Sequence, residues 1–411
     1  MTTKKNKKDL ENELVQLLGP RFLELLSNFE RVELDQFEME IGDLELWLHP
    51  GALIPSLSKS LVEPVGTKPT AILQEEFISP VETYPGSVKE VTLGATKKEG
   101  GSRGKPVIIG GSTSPAFTLF EGPPKYPPVI ALDVFDMKFP LPKVLRENVQ
   151  EVMDDPAEWA KMNVNKFGAE VVTVHLMSTD PLIADTPPAK AAKTVEEVLQ
   201  SVDVPLIIGG CGDPKKDADV FVKITEVAEG ERVLLNSVTL DMAEARTLET
   251  VARAAKDHNQ LVLAFTGLDL NSAKELNRRL YAFLPPENIV MDLTTAALGY
   301  GLEYSFTIHE RARLAALMGD SELQHPTVSG STNAWAAREA WMQMDPKYGP
   351  KEFRGPVWEA VTALSLLLAG VDLFMMMHPA AVHAMKEAIQ EMLTPGKAQS
   401  DRITDWINMR L

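Results

Sequence analysis

Met291-Asp292-Leu293-Thr294-Thr295-Ala296-Ala297-Leu298-Gly299-Tyr300-Gly301-Leu302-Glu303-Tyr304 is the stretch on which the fold turns. The apolar run Asn288-Ile289-Val290-Met291 delivers an acid, two hydroxyls and a flexible Gly-x-Gly to one point, as a strand of a parallel sheet does at a ligand-binding mouth. On either side the same alternation of short apolar runs and helical stretches repeats. Strands are predicted at 129–134, 171–176, 204–208, 233–238, 261–265, 288–293, 327–329 and 370–375.

These eight runs are continuously apolar instead of alternating, which suits a parallel sheet buried on both faces and joined by right-handed helical crossovers. The fold class that follows is α/β, a (β/α)8 TIM barrel with an N-terminal α+β extension. Punctuation agrees with it. Asp213-Pro214 reads as an N-cap with proline at the first helical position, Asn271-Ser272 opens a helix that Pro285-Pro286 stops, and Gly168 and Gly230 fall where a left-handed cap is wanted. Residues 333–356, with Trp335 and Trp341, read as an elaborate loop and extra helix on the mouth side.

The chain divides into an extension with a Pro-rich linker at 1–85, a β-hairpin region at 86–127, the barrel at 128–393 and a tail at 394–411. In the extension, residues 10–26 read as helix, and Phe37-Glu38-Met39-Glu40-Ile41 with Leu44-Glu45-Leu46-Trp47-Leu48 read as a hairpin. A second hairpin is expected from 88–94 and 106–110.

With 41 basic against 58 acidic residues the net charge is −17, which repels a phosphate backbone and argues against nucleic acid. No apolar run reaches 18 residues and the start lacks a secretory core, so no membrane insertion and a cytoplasmic location are expected. Cys211 is the single cysteine, so a four-thiolate iron-sulfur cluster needs a partner to carry it.

Several groups at predicted strand ends could carry chemistry. Asp133, His175 and His378 close the first, second and eighth strands; they either converge on a divalent metal or cap loops. The turn Gly209-Gly210-Cys211-Gly212-Asp213 either offers backbone N–H groups to a phosphate or an amide edge, or is a tight turn with Asp213 as a cap. Asn236, Thr239, Asp241, Thr266, Asp269, Asp292 and Thr294 add hydrogen-bonding groups to the same rim. No nucleophile is paired with a base, and no predicted strand contains the lysine a Schiff-base aldolase requires, so no catalytic residue and no metal ligand is assigned. The cobalamin-binding pattern Asp-x-His-x-x-Gly does not occur.

The segment from Asp292 to Leu317, together with Val91-Thr92-Leu93-Gly94-Ala95-Thr96-Lys97, Gly100-Gly101-Ser102-Arg103, Val129-Ile130-Ala131-Leu132-Asp133-Val134-Phe135-Asp136 and Met375-Met376-Met377-His378-Pro379, closely resembles the small (delta) subunit family of the corrinoid iron-sulfur protein of the acetyl-CoA decarbonylase/synthase system. That family usually reads Asp-Pro-Thr-Thr where this chain has Asp292-Leu293-Thr294-Thr295. The resemblance implies a barrel paired with a large (gamma) subunit that holds the cobalamin and the iron-sulfur cluster. It further implies methyl transfer between a tetrahydropterin and acetyl-CoA synthase, in one-carbon metabolism of the Wood-Ljungdahl type, with acetyl-CoA synthase and a pterin methyltransferase as further partners. On this reading the corrinoid is cradled by Gly210, Gly212, Asp213, Asn236, Asp292, Thr294, Thr295, Gly299, Gly301 and His378. The alternative is a pterin-dependent methyltransferase that binds methyl-tetrahydropterin in its own mouth through Asp133, Asn236 and Asp292. A purely structural platform with an empty mouth is the third possibility.

Overall fold

The computed structural model of the protein describes residues 80–116 and 123–393. Eight parallel strands close into a barrel: β3 (Val129–Phe135), β4 (Val171–His175), β5 (Leu206–Gly209), β6 (Leu234–Val238), β7 (Leu261–Phe265), β8 (Ile289–Asp292), β9 (Thr327–Gly330) and β10 (Leu373–Met376). They follow one another in chain order, and β10 pairs with β3 to shut the ring. Each lies within a few residues of its predicted run. The expected hairpin of the extension and the helix at 10–26 lie outside the described residues, as does the tail.

The crossovers are helical: α1 (Lys143–Val149) and α2 (Pro156–Asn165), α3 (Pro188–Ser201), α4 (Lys216–Val227), α5 (Leu240–Glu244) and α6 (Leu248–Asp257), α7 (Leu270–Leu280), α8 (Leu302–Leu317), α9 (Lys351–Leu368) and α10 (Pro379–Met392). Val195, Val198, Phe221, Ile224, Leu276 and Leu366 of these helices pack on the outward residues of the strands, giving the large core between the two layers. Burying such side chains contributes about 1.5–3 kcal/mol each relative to exposure. Among the described residues no helix is long and apolar enough to cross a membrane.

Inside the barrel, Val129, Ala131, Val171, Ile207, Leu234, Leu261, Leu263, Val290, Val328 and Leu373 make a second apolar cluster. The hairpin β1 (Glu90–Leu93) and β2 (Val107–Gly110) is antiparallel, and its Val91, Leu93, Val107 and Ile109 join that cluster. Backbone bonds from Lys89 to Gln324 (2.9 Å) and from Gly94 to Arg232 (3.0 Å) tie it to segments that lead into β9 and β6. The hairpin therefore plugs the N-terminal end of the barrel, and only the C-terminal end remains as a mouth.

Local starts and stops differ from the sequence reading by a few residues. Helix α4 begins at Lys216, with Pro214 in the preceding turn, although the Asp213 carboxylate does accept the N–H groups of Lys215 (2.9 Å) and Lys216 (2.7 Å). Asp269, not Asn271 or Ser272, caps α7, which ends at Leu280, ahead of the two prolines. Past β9 the chain forms short 3-10 turns, Ser331–Ala336, Arg338–Ala340 and Pro346–Tyr348, and Pro356 sits inside α9. Gly168 (φ 65°) and Gly230 (φ 73°) do take the left-handed conformation.

Candidate functional site

Side chains along a strand alternate between faces, so the interior residues identify what the mouth presents. Val129 and Ala131 point inward, hence Asp133 does too; by the same alternation so do Thr173 and His175 after Val171, Asn236 after Leu234, and Asp292 after Val290. Asn236 confirms its placement by directing its amide nitrogen at the sulfur of interior Met375 (3.6 Å). The lower barrel is apolar and the top layer polar, which is the distribution of a fold that binds at the C-terminal ends of its strands.

Asp133 is 2% exposed, yet neither carboxylate oxygen makes a hydrogen bond. Thr173, its register neighbour on β4, has an unpartnered hydroxyl. The Nε2 of His175 lies 3.3 Å from Asp133 Oδ2 but also completes no hydrogen bond, and its ring stacks on Phe135 at 5.2 Å. Past β7 and β9, the hydroxyls of Thr266 and Thr332 are likewise buried and unpartnered. Native proteins satisfy nearly all buried polar atoms, so several unsatisfied ones at one end of one barrel call for an explanation.

Around this polar floor stand exposed apolar residues. Leu182 and Ile183 follow β4, Phe265 and Leu268 close β7, Tyr300 follows β8, and Trp341 follows β9. A crevice of about 380 Å³ opens at the opposite end, by Ser102, Arg103 and Asp203. Its Arg103 is fully engaged, pairing with Glu231 (2.7 Å) and donating to the carbonyls of Val202 (2.7 Å) and Leu199 (2.9 Å), so that region holds the hairpin to the barrel.

The segment after β8 is built from its own side chains. Asp292 accepts the N–H of Thr294 (2.8 Å), and burial pushes its carboxyl up to about 7. Thr294 adopts φ 79°, a strained conformation for a β-branched residue, and its hydroxyl donates to the Thr266 carbonyl (2.9 Å). The Thr295 hydroxyl donates to Ser329 (3.0 Å) and the Asn333 amide donates to the Thr295 carbonyl (3.1 Å). Gly299 (φ 78°) and Gly301 (φ 104°) turn the chain into α8. Both threonine hydroxyls are thus used within the protein. Asp292 remains the group of this segment that faces the interior.

In the turn after β5 the backbone donors are engaged within the protein, as the tight-turn alternative has it. Gly210 donates to the Asn236 carbonyl (2.7 Å), while Cys211 and Gly212 both donate to Asp217 (2.8 Å each). Asp217, on the first turn of α4, lies so close that a Cβ at Gly210 would come within 2.5 Å of its carboxylate. The buried acid, unmarked by any motif, takes the donors. Burial also pushes the Cys211 thiol up to about 11, and the thiol donates to Asp217 (3.1 Å).

Asp133, His175 and His378 are not brought into one cluster: among the described residues no three His, Cys, Asp or Glu side chains gather where they could hold an ion. His378 instead caps α10, its Nδ1 accepting the Ala380 N–H (3.1 Å) and its ring stacking on Trp335 at 5.9 Å. Its backbone is held by a residue absent from the sequence reading. Glu359 of α9 is fully buried and accepts the N–H groups of Met377 (2.6 Å) and His378 (2.9 Å). Burial pushes its carboxyl up to about 8, with the charge of Asp133 adding to the shift. The signal for it is present in the sequence, since Glu359 is the single charged residue between 355 and 370.

Residues 90–352 match the family model described as CO dehydrogenase/acetyl-CoA synthase delta subunit. The chain belongs to that family. It is 49% identical over 365 residues to the acetyl-CoA decarbonylase/synthase complex subunit delta 1 of Methanosarcina thermophila, covering 87% of this chain and 82% of that one. It is 47% identical over 391 residues to the subunit delta of Methanothermobacter thermautotrophicus, covering 94% and 96%. Among solved structures it is similar to the dihydropteroate synthase of Xanthomonas albilineans, at 15% identity and TM-score 0.45 over 66% of this chain and 94% of that one. The mouth of this delta-subunit family member gathers Asp133, Thr173, His175 and Thr266, each with a buried polar atom that has no partner within the protein.

Proposed function

We propose that the mouth forms half of a corrinoid cradle. In this reading a larger subunit of the acetyl-CoA decarbonylase/synthase complex carries the cobalamin and the iron-sulfur cluster, and the barrel covers the corrinoid during methyl transfer between a tetrahydropterin and acetyl-CoA synthase. The observation that supports it is the polar floor at Asp133, Thr173, His175 and Thr266, buried and unpartnered, inside a rim of exposed apolar residues. A corrin has an apolar plane edged with amides that both donate and accept, so a floor with carboxylate, hydroxyl and imidazole groups inside an apolar rim fits it.

When bound, the cobalt supplies the methyl-carrying chemistry. The chain's own residues orient and shield. Asp133 and Asn236 offer an acceptor and a donor, Asp292 a carboxyl poised near neutrality, and the rim residues exclude water. Cys211, with its thiol pushed up to about 11, is no nucleophile at neutral pH, and its one sulfur cannot hold a cluster. The test is spectroscopic: adding the chain to the larger corrinoid subunit should change the cobalt visible spectrum, and mouth variants should weaken that change.

A second reading has its own support. Asp133, Asn236 and Asp292 project from three strands into the barrel itself, below the rim, where a pterin ring with its N–H and carbonyl edge would lie. Methyl-tetrahydropterin binding to the isolated chain, measured by calorimetry, would favour it over the cradle.

A further inference from the structure

The outer surface of the barrel is not uniform. On α3, α6 and α7 the solvent side is charged and laced with i,i+4 pairs: Lys193–Glu197, Arg253–Glu249 and Arg279–Glu275. On α9 it is not. Between residues 355 and 368 the single charge is Glu359, which is buried, and the solvent face presents Val357 (51% exposed), Leu364 (38%) and Leu368 (44%), continued at the mouth end by Phe353 (63%). Helix α8 packs alongside and adds Leu314 (41%) and Met318 (68%). The spacing of Phe353, Val357, Leu364 and Leu368 keeps one stripe along the full helix.

We infer that this wall of α8 and α9 is a subunit contact that takes an apolar, uncharged helix face of a different subunit of the complex. The inference rests on family membership and not on what the mouth binds. Half-exposed, six large apolar side chains on two packed helices leave roughly 500 Å² of apolar surface, at the upper end of what monomers tolerate. That area matches the apolar centre of a standard contact of about 800 Å² per partner. The charge balance selects against a second copy as occupant. Two chains of net charge −17 repel at long range, and a stripe without charges offers nothing to offset it, whereas a less acidic subunit meets no such barrier.

The experiment uses the full chain and the other purified subunits of the acetyl-CoA decarbonylase/synthase complex. Oxidative footprinting should label Met318, Phe353 and Leu364 in the isolated chain and lose at least about five-fold of that labelling in the assembled complex. Val357→Arg and Leu364→Arg, both at half-exposed positions, should weaken assembly about 30-fold or more while leaving the melting temperature of the isolated chain within a few degrees, as surface changes usually do. Three results would overturn the proposal. One is assembly unchanged by both variants. Another is a stripe already protected in the monomer, which would make the chain's own residues the occupant. The last is a homodimer in sedimentation that the same variants disrupt.

Discussion

Asp133 Oδ2 lies 3.3 Å from Nε2 of His175 on the neighbouring strand, and neither atom completes a hydrogen bond. An enclosed carboxylate left in this way lowers stability, because its desolvation is not offset by partners. Asp133→Asn and Asp133→Leu are therefore expected to stabilise the isolated chain by about 1–3 kcal/mol, read as a rise of several degrees in melting temperature. A fall instead would mean that the carboxylate is a structural group and not one held for a ligand.

Cys211 gives a clean chemical readout because it is the single cysteine. With the thiol pushed up to about 11 by burial, alkylation at pH 8 should run at least about 30-fold slower than for an unperturbed thiol. Asp217→Asn removes a nearby charge that also raises the thiol, so it should speed the reaction several-fold. Gly210→Ala, which drives a methyl into the Asp217 carboxylate, should lower stability by about 1–3 kcal/mol. Wild-type reactivity matching a free peptide thiol would contradict this account of the turn.

Two carboxyls make stability fall with rising pH. Burial raises Glu359 from an ordinary 4.5 to about 8 and Asp292 from 3.8 to about 7. Both hold protons in the folded state that the unfolded chain has released, so their contribution is complete below about pH 4 and is lost as pH climbs toward 8. Glu359→Gln should flatten that alkaline limb in melting curves. It should also lower the melting temperature by a few degrees at pH 5, since Met377 and His378 donate to different carboxyl oxygens and the amide nitrogen that replaces one of them cannot accept. An unaltered alkaline limb in the variant would rule out Glu359 as its source.

Histidines act with the opposite sign. His309 is 1% exposed, neither ring nitrogen reaches hydrogen-bond geometry, and burial, aided by Arg313, pushes it down to about 3. Its folded value lies below the ordinary 6.5, so its contribution is present above pH 6.5 and is lost as pH falls through the acid range toward 3. His309→Leu should retain stability at pH 7 and reduce the loss between pH 6.5 and 4; a variant that unfolds at pH 7 would indicate a polar role for the ring.

The barrel was legible because parallel strands buried on both faces are continuous apolar runs, a signal that does not depend on partners. So was the polar character of the mouth, since Asp133, Asn236 and Asp292 end such runs. Side-chain competition for backbone donors was not legible. Asp217 lies 5 or 6 residues, and Glu359 18 or 19, from the backbone groups they bind; the lone charge of an apolar helix marks Glu359 as buried, but no local pattern says that these two acids close the Gly210–Gly212 turn and the end of β10. Nor was the local role of His378 legible: its Nδ1 accepts the Ala380 N–H and its ring stacks on Trp335. Nor does the sequence show that the hydroxyls of Thr294 and Thr295 donate to the Thr266 carbonyl and to Ser329.

The cradle reading meets its most direct test when the larger corrinoid subunit is titrated with this chain while the cobalt visible spectrum is recorded, first with wild type and then with Asp133→Leu. The account expects a saturable spectral change with wild type, a change weakened about ten-fold or more in affinity by the variant, and no methyl-tetrahydropterin binding to the isolated chain. An identical spectral response from both proteins, together with tight pterin binding to the isolated wild-type chain, would contradict it.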